Sequence, residues 1–209
     1  ITATVAAIER VAALPAYRAQ ALARAPAIAQ QALGPLGACM GYDFHLEAGG
    51  PKLIEINTNA GGALLNAALA RAQQTCCAAM DWAFTPNARL DSLEQTFFDM
   101  FLAEWRRQRG NPPLGSVVIV DDDPAAQYLA PEFEMFRQLF QRQGVAASIA
   151  DPSELVWRDG RLWHRDAPVD LVYNRLTDFY LAEPAHQALQ SAYAAGAVVL
   201  TPDPHAHAM

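Results

Sequence analysis

The α/β character of this chain is set by residues 117–124, which read Val117-Val118-Ile119-Val120-Asp121-Asp122-Asp123-Pro124. A continuous run of branched aliphatic residues is typical of a strand that is buried on both faces of a parallel sheet. The acidic residues and the proline that follow end the strand and begin a turn. A helical pattern then runs from Pro131 to Gln143, and Val145 to Ile149 reads as a second strand. This order of strand, helix and strand predicts a parallel α/β unit.

The rest of the C-terminal half continues the alternation. Residues 155–163 read as a small hairpin, and the segments after it read as strand, helix and strand at residues 171–173, 183–194 and 198–200. We therefore expect an open, doubly wound and mainly parallel α/β domain. Ligand sites in such a domain lie outside the carboxyl ends of the strands.

A proline-rich segment at residues 111–115 is the best internal boundary, and it divides residues 1–110 from residues 111–209. The first part is mainly helical, with predicted helical segments at residues 1–33, 63–79 and 90–109. An aromatic stripe on the last of these segments is interpreted as core, with Leu93, Phe97, Phe101 and Trp105 at helical spacing.

The composition argues against several classes of function. The 209 residues are 52% apolar and 18% charged, as in a globular domain, and the formal net charge is -7. That charge argues against a nucleic-acid partner, because few Lys and Arg are available to neutralise phosphates. The three cysteines (Cys39, Cys76 and Cys77) form neither a disulfide framework nor a zinc spacing, which favours a cytoplasmic protein. No run of about 18 apolar residues is present, so we expect no membrane partner.

A predicted hairpin between Cys39 and Asn57 carries the residues that indicate function. Side chains alternate along a strand, so Glu55 and Asn57 share one face of the second strand. With a five-residue turn at residues 47–51, Asp43 of the first strand lies directly opposite Glu55. The sequence therefore predicts a cross-strand pair of carboxylates with an amide beside it.

Two carboxylates in opposed positions have Cβ atoms about 4.5–5.5 Å apart and repel each other. A cation is the simplest compensation, and the amide oxygen of Asn57 completes a set of hard oxygen ligands suited to Mg²⁺. The small residues of Thr58–Gly62 let a ligand approach the backbone. Two other interpretations stay open, namely an exposed strand face whose acids are solvated and a register slip that separates the acids.

The hairpin resembles the final metal-binding hairpin of ATP-grasp ligases over two segments, Gly41-Tyr42-Asp43-Phe44-His45-Leu46 and Gly50-Pro51-Lys52-Leu53-Ile54-Glu55-Ile56-Asn57-Thr58-Asn59. In that family an Asp and a Glu-x-Asn hold the Mg²⁺ ions that bridge the ATP phosphates. By position, the resemblance implies metal binding by Asp43, Glu55 and Asn57. It also implies catalytic roles for Glu55 and Asn57 and a cofactor contact for Asn59.

An α/β domain that follows this hairpin is similar to the circularly permuted order of the glutathionylspermidine synthetases. The resemblance implies N-terminal helices and a metal-binding hairpin of an ATP-grasp domain in residues 1–110. Residues 111–209 would then form a Rossmann-like pre-ATP-grasp α/β domain. The implied activity is an ATP-dependent carboxylate–amine ligase that forms an amide or peptide-like bond through an acyl phosphate.

The same resemblance implies ATP and Mg²⁺ (or Mn²⁺) as cofactors, a small-molecule carboxylate and amine as partners, and an arrangement compatible with a homodimer. The chain has no glycine-rich phosphate loop, and Lys52 is its only lysine. We therefore expect the nucleotide-binding lobe to lie beyond Met209 and these residues alone to be inactive.

Polar residues at the ends of two predicted strands are candidate substrate contacts. Asp121 could bind an amine, although a solvated acid or a turn cap is an equally good interpretation. Asn174 and Arg175 end another strand, and an arginine suits a bidentate grip on a carboxylate. A salt bridge from Arg175 to Asp178 or Asp170 is the competing interpretation.

A function from a different class also stays open. The chain could be a non-catalytic α/β module that binds a small molecule or a partner and has lost the nucleotide lobe. A glycine-rich loop and lysine-bearing strands encoded after Met209 would favour the ligase, and an early stop would favour the module.

Overall fold

The computed structural model describes residues 1–76 and 90–209. Its helices are α1 (Thr2–Ala12), α2 (Pro15–Arg24), α3 (Ala63–Cys76), α4 (Leu90–Arg109), α5 (Ala130–Arg142), α6 (Gln187–Ala194) and α7 (Pro204–Ala208). Its strands are β1 (Gly41–Glu47), β2 (Gly50–Asn57), β3 (Ser116–Val120), β4 (Ala146–Ala150), β5 (Leu155–Arg158), β6 (Arg161–His164), β7 (Ala167–Pro168), β8 (Leu171–Asn174) and β9 (Val199–Thr201). Short 3₁₀ helices cover Ala27–Gln30, Pro152–Glu154 and Pro184–His186.

Most predicted elements are found within one or two residues of their predicted ends. The predicted helix at residues 63–79 is confirmed as far as Cys76, and its last three positions lie outside the described residues. The helical segment at residues 1–33 breaks at Pro15, which begins α2 because a proline at the first helical position loses no hydrogen bond. The prediction is wrong after Arg24, where α2 ends and only the 3₁₀ turn Ala27–Gln30 follows. Neither α1 nor α2 buries a side chain.

Strands β3, β4, β8 and β9 form a four-stranded sheet in the order β4-β3-β8-β9. All three pairings are parallel. From β3 the chain first adds β4 on one side and later adds β8 and β9 on the other side. The strand order therefore reverses between β3 and β8, and ligand crevices of open α/β sheets lie at such a reversal.

Alternate residues of β3 face two different cores. Val117 and Ile119 pack with aromatic residues of α4 and α5, whereas Val118 and Val120 pack with α6 and with β5 and β6. All four side chains are at most 3% exposed, because layers cover both faces of the sheet. The expectation of an interior strand at this run is confirmed.

An aromatic cluster joins α4 to the sheet. The ring of Phe101 meets the rings of Tyr173, Phe140 and Phe136 edge to face, with centroids 4.8, 5.1 and 5.8 Å apart. The prediction that the stripe of α4 is core is confirmed for Phe97, Phe101 and Trp105 but not for Leu93, and α4 shares that core with the strands that follow it. The division into residues 1–110 and 111–209 stays a prediction.

A second, smaller sheet is antiparallel and consists of β5, β6 and β7. The predicted hairpin is confirmed by the pairing of Leu155 with His164 and of Arg158 with Arg161. Strand β7 was not predicted, because two residues carry no periodicity.

Among the helices of residues 1–76 and 90–209, none has the length and apolarity needed to cross a membrane.

Candidate metal site and the sheet edge beside it

Strands β1 and β2 pair as an antiparallel hairpin in which Asp43 lies directly opposite Glu55. The turn is shorter than predicted, because Glu47 already pairs with Gly50. A bulge between Asp43 and Phe44 leaves Ile54 as the extra, unpaired residue of β2. The bulge shifts the pairing by one residue and so produces the predicted pair of Asp43 and Glu55. Without it, Asp43 would face the apolar Ile54.

The side chains of Asp43, Glu55 and Asn57 converge at the open end of the hairpin. Asn57 Nδ2 donates to Glu55 Oε1 at 3.0 Å and to Asp43 Oδ2 at 3.4 Å. All three residues are exposed. The geometric prediction of facing carboxylates with Asn57 beside them is therefore confirmed.

No salt bridge to Lys, Arg or His involves either of these carboxylates within the part of the chain that the structure describes. Lys52, the lysine of this hairpin, pairs with Glu47 near the turn instead. Among the described residues, the side chain that offsets the repulsion between Asp43 and Glu55 is the amide of Asn57. An added divalent cation would remove it more completely.

The donor set fits a hard divalent ion such as Mg²⁺. Two carboxylates supply charged oxygens, and a half-turn of the Asn57 amide would exchange its NH₂ group for its oxygen. No group of three or more His, Cys, Asp or Glu side chains that could hold a metal occurs in residues 1–76 and 90–209. The ion would therefore depend on the amide, on water and on phosphate oxygens for its other positions, as is usual for Mg²⁺.

The segment after Asn57 contacts the carboxyl edge of the parallel sheet. Arg175 Nη1 donates to Asn59 Oδ1 at 2.5 Å and to the carbonyl oxygen of Ala60 at 2.9 Å. Asn59 Nδ2 donates to the carbonyl oxygen of Leu176 at 3.3 Å. The amide of Asn59 is thus engaged by the sheet edge, and its cofactor contact stays a prediction.

Glu132 of α5 holds the next residues of the same segment. Its Oε2 accepts from the Gly62 N–H at 2.6 Å, and its Oε1 accepts from the Leu64 N–H at 2.8 Å. The carboxylate is 1% exposed and satisfies two N–H groups at the beginning of α3. Glu132 was missed by the sequence reasoning, although its position four residues before the buried Phe136, on the apolar face of α5, was a usable signal.

Asn174 and Arg175, the two candidate substrate contacts at the carboxyl end of β8, have different surroundings. Arg175 is 7% exposed and forms no salt bridge with Asp178 or Asp170, so the competing interpretation does not apply. Its Nε has no hydrogen-bond partner among the described residues. A substrate contact of Arg175 stays a prediction.

Asn174 is the last residue of β8, and both halves of its amide have hydrogen-bond partners in the protein. Its Nδ2 donates to the carbonyl oxygen of Pro202 at 3.1 Å, and its Oδ1 accepts from the Leu176 N–H at 3.1 Å. The residue is 2% exposed. Both halves of the amide therefore stabilise the loop after β8, and a substrate contact of Asn174 stays a prediction.

Asp121 follows β3 at the reversal of strand order and is 8% exposed. One of its carboxylate oxygens accepts from the Asp122 N–H at 3.0 Å. Burial raises the pKa of Asp121 to about 6, although the charge of Arg175 opposes the shift. An ionised Asp121 is thus costly at neutral pH, and an amine bound beside it would offset that cost.

Replacing Asp121 with Asn should stabilise the protein at pH 7, by on the order of 1–2 kcal/mol, because Asn keeps the acceptor and removes the buried charge. The folded-state pKa exceeds the unfolded value, so the contribution of Asp121 to stability falls as the pH rises from about 4 to about 6. Urea unfolding across this range should show the advantage of the variant growing with pH. The exposed Asp166→Asn change is the control. An advantage that does not change with pH would contradict the assignment.

A buried histidine lies near the same edge. His186 is fully buried; its Nε2 lies 2.9 Å from Asp122 Oδ1, and its Nδ1 lies 2.8 Å from Asp178 Oδ2. Burial by itself lowers the pKa of His186, but the hydrogen bonds to the two carboxylates raise it above its ordinary value overall. These contacts join the loops that follow β3 and β8. Sequence reasoning missed them, because the partners are far apart in the chain.

Replacing Asp178 with Asn should lower the pKa of His186, because one of the two acceptor charges is lost. With the folded pKa above the unfolded one, the stabilisation from His186 is fully present below about pH 6.5 and is lost as the pH rises through the folded pKa. An NMR titration of the imidazole protons measures both pKa values. His207, whose pKa is lowered by burial, is the internal control. An unchanged His186 titration would refute this account of the contact.

A cavity of about 810 Å³ lies on the other side of the hairpin. Its lining includes α1, α2 and the cross-strand pair Tyr42 and Ile56. Adjacent strand residues point to opposite faces, so this cavity is separated from the face of Asp43 and Glu55. It does not belong to the candidate metal site.

A search with protein-family models and a search of curated proteins found no match to this chain. The resemblance to ATP-grasp ligases therefore stays an expectation from the hairpin sequence and from the order of the segments along the chain.

Proposed function

We propose that this chain supplies the Mg²⁺-binding end of an ATP-dependent carboxylate–amine ligase of the ATP-grasp kind. The observation that carries the proposal is the exposed cross-strand pair of Asp43 and Glu55 with Asn57 bonded to both. Two facing carboxylates have no cationic side-chain partner among the described residues, so their repulsion destabilises the hairpin. A bound cation would remove that repulsion. The sequence around them resembles the metal-binding hairpin of that family.

In the proposed reaction the γ-phosphoryl group of ATP is transferred to a substrate carboxylate, which gives an acyl phosphate and ADP. The amine nitrogen, as the neutral amine, then forms a bond to the acyl carbon and loses a proton to water, and inorganic phosphate leaves with the electrons of the broken C–O bond. Asp43, Glu55 and Asn57 would hold the divalent ions. The ions would neutralise negative charge on the phosphates as the phosphoryl group moves.

The protein's part in such chemistry is positioning and electrostatic stabilisation, so no side-chain nucleophile is required. Asp121 is the residue we expect to receive the amine, because a cation would offset its buried charge. Arg175 and Asn59 are the further residues we expect near the carboxylate and the nucleotide. ATP consumption also fits the cytoplasmic location expected from the three cysteines.

The test is an assay of ADP and phosphate release by the full-length protein with a panel of carboxylates and amines. The ligase predicts Mg²⁺-dependent release that requires both substrates. A non-catalytic binding module predicts binding without release. Release that is independent of Mg²⁺ would contradict the proposed role of the hairpin.

A further inference from the structure

The ligand crevice of the parallel sheet is contacted by a loop of the chain itself. The strand order reverses between β3 and β8, so the crevice lies outside the carboxyl ends of these two strands. Arg175 begins the loop after β8, and its N–H donates to the carbonyl oxygen of Val120 at the end of β3. The segment 59–64, which follows the metal ligands, is held at this edge by Arg175 and Glu132.

Arg175 binds this segment close to the metal ligands. Its Nη1 joins Asn59 Oδ1 and the Ala60 carbonyl oxygen, and the Ala60 N–H donates to the carbonyl oxygen of Cys39 at 2.9 Å. Two residues of extended chain span at most about 7 Å, so the Cα atom of Asn57 lies within about that distance of the Cα atom of Asn59, whose side chain Arg175 contacts. The direction of the Asn57 side chain therefore depends on where Arg175 fixes the loop.

Glu132 fixes the other end of the segment through Gly62 and Leu64. The space between the two anchors is closely filled. A Cβ atom at Gly61 would lie 2.3 Å from Leu129 Cδ1 and 2.9 Å from Arg175 Nη2. Because a side chain at residue 61 would collide with these atoms, the loop has one tightly defined path.

Apart from the Ala60–Cys39 backbone bond and a contact of the Thr58 hydroxyl with His207 Nδ1 at 2.5 Å, the hairpin is mostly exposed. Asp43, Glu55 and Asn57 are exposed, and the apolar residues of β2 remain 38–65% exposed, namely Leu53, Ile54 and Ile56. Hydrogen bonds from buried charged groups are stronger than neutral ones. The contacts of Arg175 and Glu132 are thus the stiff part of the connection between the metal ligands and the sheet.

We infer that Arg175 and Glu132 are positioning residues that set the affinity of the Asp43, Glu55 and Asn57 site for divalent metal. The inference rests on the proposed function. Neither residue is expected to touch the ion. Residues that orient metal ligands typically contribute about ten- to a hundredfold to metal affinity or activity.

The test is Mn²⁺ binding to the 209-residue chain, with free Mn²⁺ measured by its EPR signal. Glu132→Gln removes the charge and puts an amide NH₂ against one backbone N–H, and Arg175→Met removes both loop contacts. Each should weaken Mn²⁺ binding about tenfold. Arg175→Lys can keep one of the two contacts and should fall between Arg175→Met and the wild type. All measurements are made well below the thermal unfolding midpoint of each variant.

Asp170→Asn is the matched control. Asp170 Oδ2 accepts from the Gly115 and Ser116 N–H groups at 3.0 Å, before the amino end of β8. Arg175 follows the carboxyl end of the same strand. Loss of the Asp170 carboxylate should reduce stability without changing Mn²⁺ affinity, whereas a purely structural role of Glu132 or Arg175 would give the same pattern as Asp170→Asn.

The outcomes separate the inference from the proposed function. A wild-type chain that binds no Mn²⁺, or that binds it equally well with Glu55→Gln, overturns the metal site and this inference with it. Binding that needs Glu55 but is unchanged in Arg175→Met, Arg175→Lys and Glu132→Gln overturns the inference alone. Equal weakening by Asp170→Asn also overturns it, because the effect would then follow general stability. Weakening confined to the Arg175 and Glu132 variants supports it.

Discussion

Replacing Glu55 with Gln is expected to reduce Mg²⁺-dependent ADP release by the full-length protein by about a hundredfold or more. Gln keeps the shape of the side chain but removes the charge that would hold the ion against the phosphates. Electrostatic stabilisation is most of what a protein contributes to phosphoryl transfer, so the loss falls on catalysis. The assay is ADP release at saturating ATP with a carboxylate and an amine.

The free energy of unfolding should change little in Glu55→Gln, or it should increase. Glu55 lies opposite Asp43, and neutralising one of two facing like charges removes a repulsion. Glu47→Gln is the matched control, because Glu47 lies on the same hairpin and pairs with Lys52 near the turn. It should keep full activity. A folded Glu55→Gln protein with wild-type turnover would refute the metal assignment.

Replacing Phe101 with Ala is expected to lower the free energy of unfolding by about 3–5 kcal/mol. The ring of Phe101 is fully buried and meets three aromatic rings within 5.8 Å. Its loss would leave a cavity between α4, α5 and the sheet, where tightly packed rings cannot collapse to fill the space. Urea unfolding at neutral pH measures the effect.

The control for this change is Tyr128→Ala. Tyr128 is 94% exposed, and a surface aromatic residue of this kind should change the free energy of unfolding by no more than about 0.5 kcal/mol. A loss below about 1 kcal/mol for Phe101→Ala would mean that α4 does not share a core with the sheet. The expected loss would confirm that the helix before the proline-rich segment and the strands after it fold together.

The facing carboxylates were predicted from the alternation of side chains along the strands. The turn length and the bulge that bring them together were not predicted. The prediction assumed a five-residue turn, whereas Glu47 already pairs with Gly50 and a bulge at Ile54 restores the register. Side-chain alternation shows which residues share a face. It does not show a bulge, because the bulge depends on the twist and pairing of two strands together.

The parallel sheet was predicted well, because a continuous apolar run such as Val117–Val120 needs covered faces on both sides. Contacts between distant residues were not predicted. Glu132 reaches Gly62 across 70 positions, and His186 reaches Asp122 across 64 positions. Asn174 was predicted to contact substrate from its place at a strand end. Its hydrogen bonds with Pro202 and Leu176 were not predicted, and its substrate contact stays a prediction.

The central claim is that Asp43, Glu55 and Asn57 bind a divalent ion, and the most direct measurement is a crystal structure of the protein with Mn²⁺. The anomalous signal of manganese locates the ion independently of any interpretation of the chain. The account predicts a peak within about 2.0–2.3 Å of oxygen atoms of Asp43, Glu55 and Asn57, with the Asn57 amide turned so that its oxygen faces the ion. Ordered manganese at other carboxylates, with none between these three side chains, would contradict it.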